Sequence, residues 1–290
     1  GHIAELCALA SPDIGVITNI GVAHLELLGS REAIAEAKAE ITHGLREGGT
    51  AVIPFTEPLL DTLLPADRAI VTFGDEAGAD VQLVDRRIDP QGQDLTYLVH
   101  GDLLQLRSNL VGRHHARNLA AALAVCSVLG LELGEVAARA GDIPLQRWRG
   151  ETIALTGGIE VVNDAYNANP ASMEAAIRLL CELPAEGRRI AVLGLMAELG
   201  PDAEGFHREI GALAARSGVD IVIAVGDLAR AYLDGAGSGV DGHWVATADD
   251  AADRLARLVR SGDRVLVKGS RSAGLEGLPD QLAERLEAGA

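Results

Sequence analysis

The runs IAVL (190–193), IVIAV (221–225) and RVLV (264–267) decide the fold of this chain. Each is a short apolar run rich in β-branched residues, without the alternation of a half-exposed strand, so each reads as a strand buried on both faces. Helical patterns near Ala203–Ala215 and Ala248–Val259 separate them. A strand, a helix and another strand in parallel require right-handed crossovers, which predicts a Rossmann-like sheet of four or five strands. In such a sheet ligands sit beyond the carboxyl ends of the strands. Just upstream, Thr152–Leu155 and Glu160–Asn163 flank Gly157-Gly158 and read as a hairpin, with a helix expected from Ser172.

The first half repeats the α/β pattern. Ile14–Thr18, Ala51–Pro54 and Ala69–Phe73 read as buried strands, and Ile34, Ala37, Ile41 and Leu45 give Arg31–Leu45 helical spacing. Val81–Val84, Leu95–Val99 and Leu103–Leu106 look like more exposed strands around the turn Asp89-Pro90-Gln91-Gly92. Helices follow at about Ala116–Leu129 and Leu133–Ala140. Gly141-Asp142-Ile143-Pro144 then breaks the pattern, which places a domain boundary near Pro144–Arg149 and predicts domains at 1–146 and 147–290.

Composition narrows the partners. A formal charge of −17 argues against a broad electrostatic grip on nucleic acid, so an anionic substrate needs local cations. The longest mainly apolar run, Leu119–Leu131, is too short for a membrane span and reads as a buried helix. Neither a signal peptide nor an initiating Met opens the chain, so it is expected to begin partway through a protein. Cys7, Cys126 and Cys181 are widely spaced and form no CxxC pair, which suits core thiols in a reducing cytoplasm.

Of the 25 basic residues only Lys38 and Lys268 are lysine. Arginine replaces lysine at little cost where a cation is merely solvated, so the two survivors are candidates for sites that need an amine. Lys38 follows the loop containing His24, a candidate metal ligand; taken alone, each also fits an ordinary surface role. His114 and His115 open the long helix, but neighbours at i and i+1 are expected to diverge, and no further ligand is spaced to complete a zinc site. Asn118 lies on the same helix, whose N-terminus could face an anion. Arg147, Trp148 and Arg149 occupy the boundary, where a cation could meet a phosphate or form a salt bridge. The loop from Asn163 to Pro170 carries three Asn, Asp164 and Tyr166, more polar capacity than capping requires. Lys268, Ser270 and Arg271 follow the last strand in a small-residue turn suited to a carboxylate or phosphate. No GxxxxGK[ST] loop is present.

Together the stretches PDIGVITNIGVAHLE (12–26), AKAEI (37–41), GRHHARNLAAALA (112–124), NDAYNANPASM (163–173), VLGLMAELG (192–200), HREIG (207–211) and VLVKGSRSAGLE (265–276) resemble the Mur ligase family. The Asn-Ala-Asn-Pro run at 167–170 resembles the branch that adds D-alanyl-D-alanine. The resemblance implies the latter part of a central ATPase domain followed by a C-terminal Rossmann-like domain, with the ATP phosphate loop upstream of Gly1. It implies an ATP- and Mg2+-dependent ligase of cell-wall precursor synthesis, acting in the cytoplasm as a monomer, that joins D-alanyl-D-alanine to UDP-N-acetylmuramoyl-tripeptide through an acyl phosphate. By motif, His24 and a carbamylated Lys38 would serve magnesium and catalysis. Asn118 would meet adenine; Arg149, Asp164 and Asn167 would hold the nucleotide; Lys268 and Ser270 would close on substrate. Two positions depart from the family pattern: His115 stands where Asn is common, and Leu195 where Asp is often found.

Overall fold

A computed structural model describes residues 1–21, 28–89 and 91–288 of the chain. It divides into two compact units, Gly1–Ile143 and Pro144–Ala290.

The first unit is built on a six-stranded sheet in sequence order: β1 (Ile14–Val16), β2 (Thr50–Pro54), β3 (Ala69–Gly74), β4 (Val81–Asp89), β5 (Gly92–Val99) and β6 (Asp102–Ser108). Pairing is parallel from β1 to β4 and antiparallel from β4 to β6. The strands expected to be more exposed form a longer meander than the apolar residues alone suggest, because antiparallel pairing extends β4 and β5 to their connecting turn. Helices α1 (His2–Ala10), α2 (Arg31–His43), α3 (Arg113–Val128) and α4 (Leu133–Ala138) accompany the sheet. Buried Ala116, Ala120 and Ala124 lay one face of α3 on Phe73, Val81 and Tyr97, and the Tyr97 hydroxyl donates to Ala116 O at 2.7 Å.

In the second unit the strands run β7 (Glu151–Leu155), β8 (Ile159–Asp164), β9 (Arg189–Leu193), β10 (Ile221–Val225), β11 (Asp241–Val245) and β12 (Arg264–Lys268), in the spatial order β11-β10-β9-β12-β8-β7. Only β7–β8 is antiparallel. Six strands replace the expected four or five. The additional one, β11, is an edge strand with two exposed residues, so its sequence lacks the uniform burial signal. Helices α5 (Pro170–Glu182), α6 (Ala203–Ser217) and α7 (Arg230–Ala236) share one core with the sheet; α8 (Ala248–Leu258) and α9 (Leu278–Ala288) share another. Both faces being covered explains the unbroken apolar runs. The α6–α7 crossing is close: a Cβ at Gly211 or Gly235 would overlap the carbonyl oxygen of Tyr232 or Arg208.

The thiols divide. Cys7 is buried, whereas Cys126 and Cys181 are only partly buried, because their helices turn these positions toward the rim of the core. Among the described residues no helix is long and apolar enough to cross a membrane.

Candidate functional site

In the first unit the loop after β1 is pinned by two cations from α2. Ser30 caps that helix, its hydroxyl accepting from Ala33 N at 3.1 Å, and Ile34, Ala35 and Ala39 bury one face. This rotation leaves Lys38 half-buried beside the loop, its Nζ donating to Asn19 O at 2.8 Å. Arg31 donates to Ile20 O at 3.1 Å and pairs with Glu57. Burial pushes the Lys38 ammonium below the usual lysine range, and the Glu57 carboxylate works against that shift. His24 lies outside the described residues.

Asn118 is exposed on the second turn of α3, and its side-chain amide has no hydrogen-bond partner among the described residues. Below it the helix N-terminus is fixed by fully buried Gln93, which donates to Leu110 O at 2.6 Å and accepts from Gly112 N at 3.3 Å. The expectation that His114 and His115 diverge is corrected: their ring centroids are 4.1 Å apart, because side-chain rotation brings the rings together although their Cα–Cβ bonds diverge. No group of three or more His, Cys, Asp or Glu that could hold a metal occurs among the described residues.

The second unit brings Asp164, Asn167, Lys268 and Ser270 together at the carboxyl ends of β8, β12 and β9. Lys268 is 2% exposed, and its ammonium donates to Asp164 Oδ2 at 2.6 Å and Asn167 O at 3.0 Å. Lys268 therefore anchors the loop after β8 from within. Ser270, also buried, gives its N–H to Leu195 O and accepts at Oγ from Ala197 N at 2.9 Å, which fastens the loop after β9 to the loop after β12. Two further residues, unassigned by sequence, hold the β9 loop. Buried His207 accepts from Met196 N at 3.0 Å and contacts Ala203 O through its other nitrogen; Tyr232 donates to Gly194 O at 2.8 Å. Burial lowers the His207 pKa, which favours the neutral ring that can accept from Met196 N. The signal for His207 was its placement on the helix face shared with Ile210 and Ala214.

The polar surplus of the 163–170 loop has a largely structural explanation. Asn163 donates to Glu276 O at 2.9 Å, and Asn169 caps α5 by accepting from Ser172 N, which starts the helix at Pro170 rather than Ser172. Asn167 Oδ1 accepts from Ala168 N at 2.8 Å. Tyr166 and Asn167 remain exposed, and the Arg149 guanidinium lies over the Tyr166 ring at 4.0 Å. Arg147 and Arg271 both approach Trp148, at 5.3 and 4.6 Å from the ring centroid.

Residues 1–126 match the Mur ligase middle domain, and residues 148–271 match the Mur ligase glutamate ligase domain. The chain belongs to the Mur ligase family. It is similar to the UDP-N-acetylmuramoyl-tripeptide–D-alanyl-D-alanine ligase of Bacillus subtilis, with 36% identity over 287 residues, covering 98% of this chain and 62% of that protein. The ligase of the same name from Escherichia coli is 33% identical, with 98% and 63% covered. A solved MurF ligase from Thermotoga maritima in complex with ADP superposes with a TM-score of 0.88 and 30% identity over all of this chain and 66% of that one. The chain thus spans about three fifths of the length of the curated relatives it matches.

Proposed function

We propose that this chain supplies nucleotide- and acceptor-binding machinery for an ATP-dependent ligase that joins D-alanyl-D-alanine to UDP-N-acetylmuramoyl-tripeptide. In that reaction the tripeptide carboxylate takes the γ-phosphoryl group to give an acyl phosphate and ADP. The dipeptide amine then attacks the acyl carbon, and phosphate leaves as the amide forms. The observation that carries the reading is the set of cross-tied loops at the ends of β8, β9 and β12, with Arg149 and Tyr166 exposed on it. The names of the relatives and the ADP complex support it.

In this reading residues 1–146 and 147–290 are the two functional domains, and the ligase works as a cytoplasmic monomer. Asn118, whose amide has no hydrogen-bond partner among the described residues, meets adenine. Arg149 and Asp164 hold the nucleotide, Asn167 lines it, and Lys268 and Ser270 keep the loops in register around nucleotide or dipeptide. Lys38 and His24 hold Mg2+, which when bound supplies charge to offset the crowded phosphate oxyanions. Lys38 fits that part: only the neutral amine adds carbon dioxide to become a carbamate, and burial moves Lys38 toward the neutral form. Titration calorimetry of the 290-residue chain with ADP tests the nucleotide half of the reading. ADP is expected to bind saturably, and Arg149→Ala is expected to weaken it about tenfold or more. Absence of binding, or indifference to Arg149→Ala, contradicts it.

A further inference from the structure

Three guanidiniums of the second unit, those of Arg147, Arg149 and Arg271, lie against aromatic rings and have no carboxylate at hydrogen-bond distance among the described residues. Arg107 pairs with Asp89 and Asp94, Arg188 with Asp263, and Arg285 with Asp249 and Asp253. Neither Arg147 nor Arg149 has a carboxylate within ion-pair distance among the described residues. Arg271 has only Glu276, with Nε 3.6 Å from Oε1, beyond hydrogen-bond range. Each of the three instead lies over an aromatic ring: Arg147 and Arg271 over Trp148, Arg149 over Tyr166. A guanidinium that lies over a ring without a close carboxylate keeps N–H donors with which it can meet one in a forked pair.

The platform is built rather than incidental. Trp148 adopts φ of 63°, a left-handed conformation that costs energy for a bulky residue. Two contacts hold it there: its N–H donates to Glu151 Oε2 at 3.3 Å, and its carbonyl accepts from Tyr166 N at 3.1 Å. The second contact joins the platform to the loop that Lys268 anchors. Two cations near one indole repel each other, and an anion within reach of both relieves that repulsion.

We propose that Arg147 and Arg271, which lie over Trp148, form a recognition site for the terminal carboxylate of the acceptor dipeptide. This deepens the functional reading above and rests on it. The chemistry selects the carboxylate end: the amine of the acceptor must stay free to attack, and two alanine side chains offer only methyl groups. The strongest remaining handle is the carboxylate, about 7 Å from the amine in an extended dipeptide. A site for that group fixes acceptor direction and rejects a single amino acid, whose carboxylate would fall one residue short.

The experiment follows Trp148 fluorescence in the 290-residue chain carrying Trp244→Phe, with saturating ADP present. D-alanyl-D-alanine, its C-terminal amide and D-alanine are added in turn. The free dipeptide is expected to give a saturable change, with the amide about 10- to 100-fold weaker, the loss typical of a charge-assisted hydrogen-bonded pair. Arg147→Gln and Arg271→Gln should weaken the free dipeptide by a similar factor and leave the amide unchanged, so that the two perturbations are not additive. Equal affinity for dipeptide and amide overturns the inference, as does no response to any acceptor in a chain that is folded by circular dichroism. If the two variants weaken ADP and spare the dipeptide, the anion is a phosphate and the carboxylate assignment is overturned. ADP calorimetry judges the parent reading separately: ADP binding without dipeptide discrimination removes this inference alone, and discrimination without ADP binding removes the nucleotide assignment alone.

Discussion

Replacing Lys268 by methionine probes the anchor of the candidate site. The ammonium is almost fully buried and donates to Asp164 Oδ2 and Asn167 O, while the Asp164 side chain is 25% exposed. Removing one partner of a buried ion pair costs about 3–5 kcal/mol, because the remaining charge is left uncompensated. Partial access of water to Asp164 lowers the expected loss to about 2–4 kcal/mol. Both tryptophans, Trp148 and Trp244, belong to the second unit, so tryptophan fluorescence excited beyond the tyrosine absorption band reports its unfolding without emission from the first. At a urea slope of about 2 kcal/mol per molar, the midpoint should fall by about 1–2 M. Lys268→Met with Asp164→Asn should recover part of the loss, because the orphaned charge is then gone. A shift below about 0.3 M for Lys268→Met alone would show that the ammonium is solvated and that the three loops are not tied through it.

Three further outcomes follow from the same geometry. In a chimera carrying this chain in place of the aligned region of the Bacillus subtilis ligase, Lys38→Arg is expected to cut turnover at least ~100-fold, since guanidinium cannot form a carbamate; near-normal rates would return Lys38 to an ordinary helix cation. Because burial lowers the His207 pKa, the unfolded chain takes up its proton first, so this contribution to stability is complete above about pH 6.5 and is lost as pH falls through the folded value. Urea midpoints at pH 7.5 and 5.5 should show that loss, and His207→Gln should reduce the difference; an unchanged difference removes His207 as its source. With no GxxxxGK[ST] loop, the 290-residue chain alone should show no Mg2+-dependent ATP hydrolysis, and measurable release of phosphate by the pure chain contradicts this.

What was legible in the sequence depended on burial. Strands β9, β10 and β12 are covered on both faces, so their apolar runs marked them within a residue of their ends. Edge strand β11 pairs on one side only and carries Asp241 and Gly242 in the open, which hides it from the same criterion. At the site, small residues and glycines after strands drew attention to the loops, but not to the direction in which side chains face. Lys268 looked available to a ligand, and the fold turns it inward; Asn163 and Asn169 looked like surplus donors, and tertiary partners and a helix cap occupy them. His207 and Tyr232 act through loops distant in sequence, so no local pattern could reveal their partners.

Under the proposed function, these loops serve a ligase whose acceptor is D-alanyl-D-alanine. The direct measurement is product mass spectrometry of the chimera supplied with ATP, Mg2+, UDP-N-acetylmuramoyl-tripeptide and an equimolar mixture of D-alanyl-D-alanine, D-alanine, D-glutamate and L-alanine. One new product is expected, heavier by the dipeptide less water and formed with stoichiometric ADP. A product extended by a single amino acid, or no product from a folded chimera that binds ADP, contradicts it.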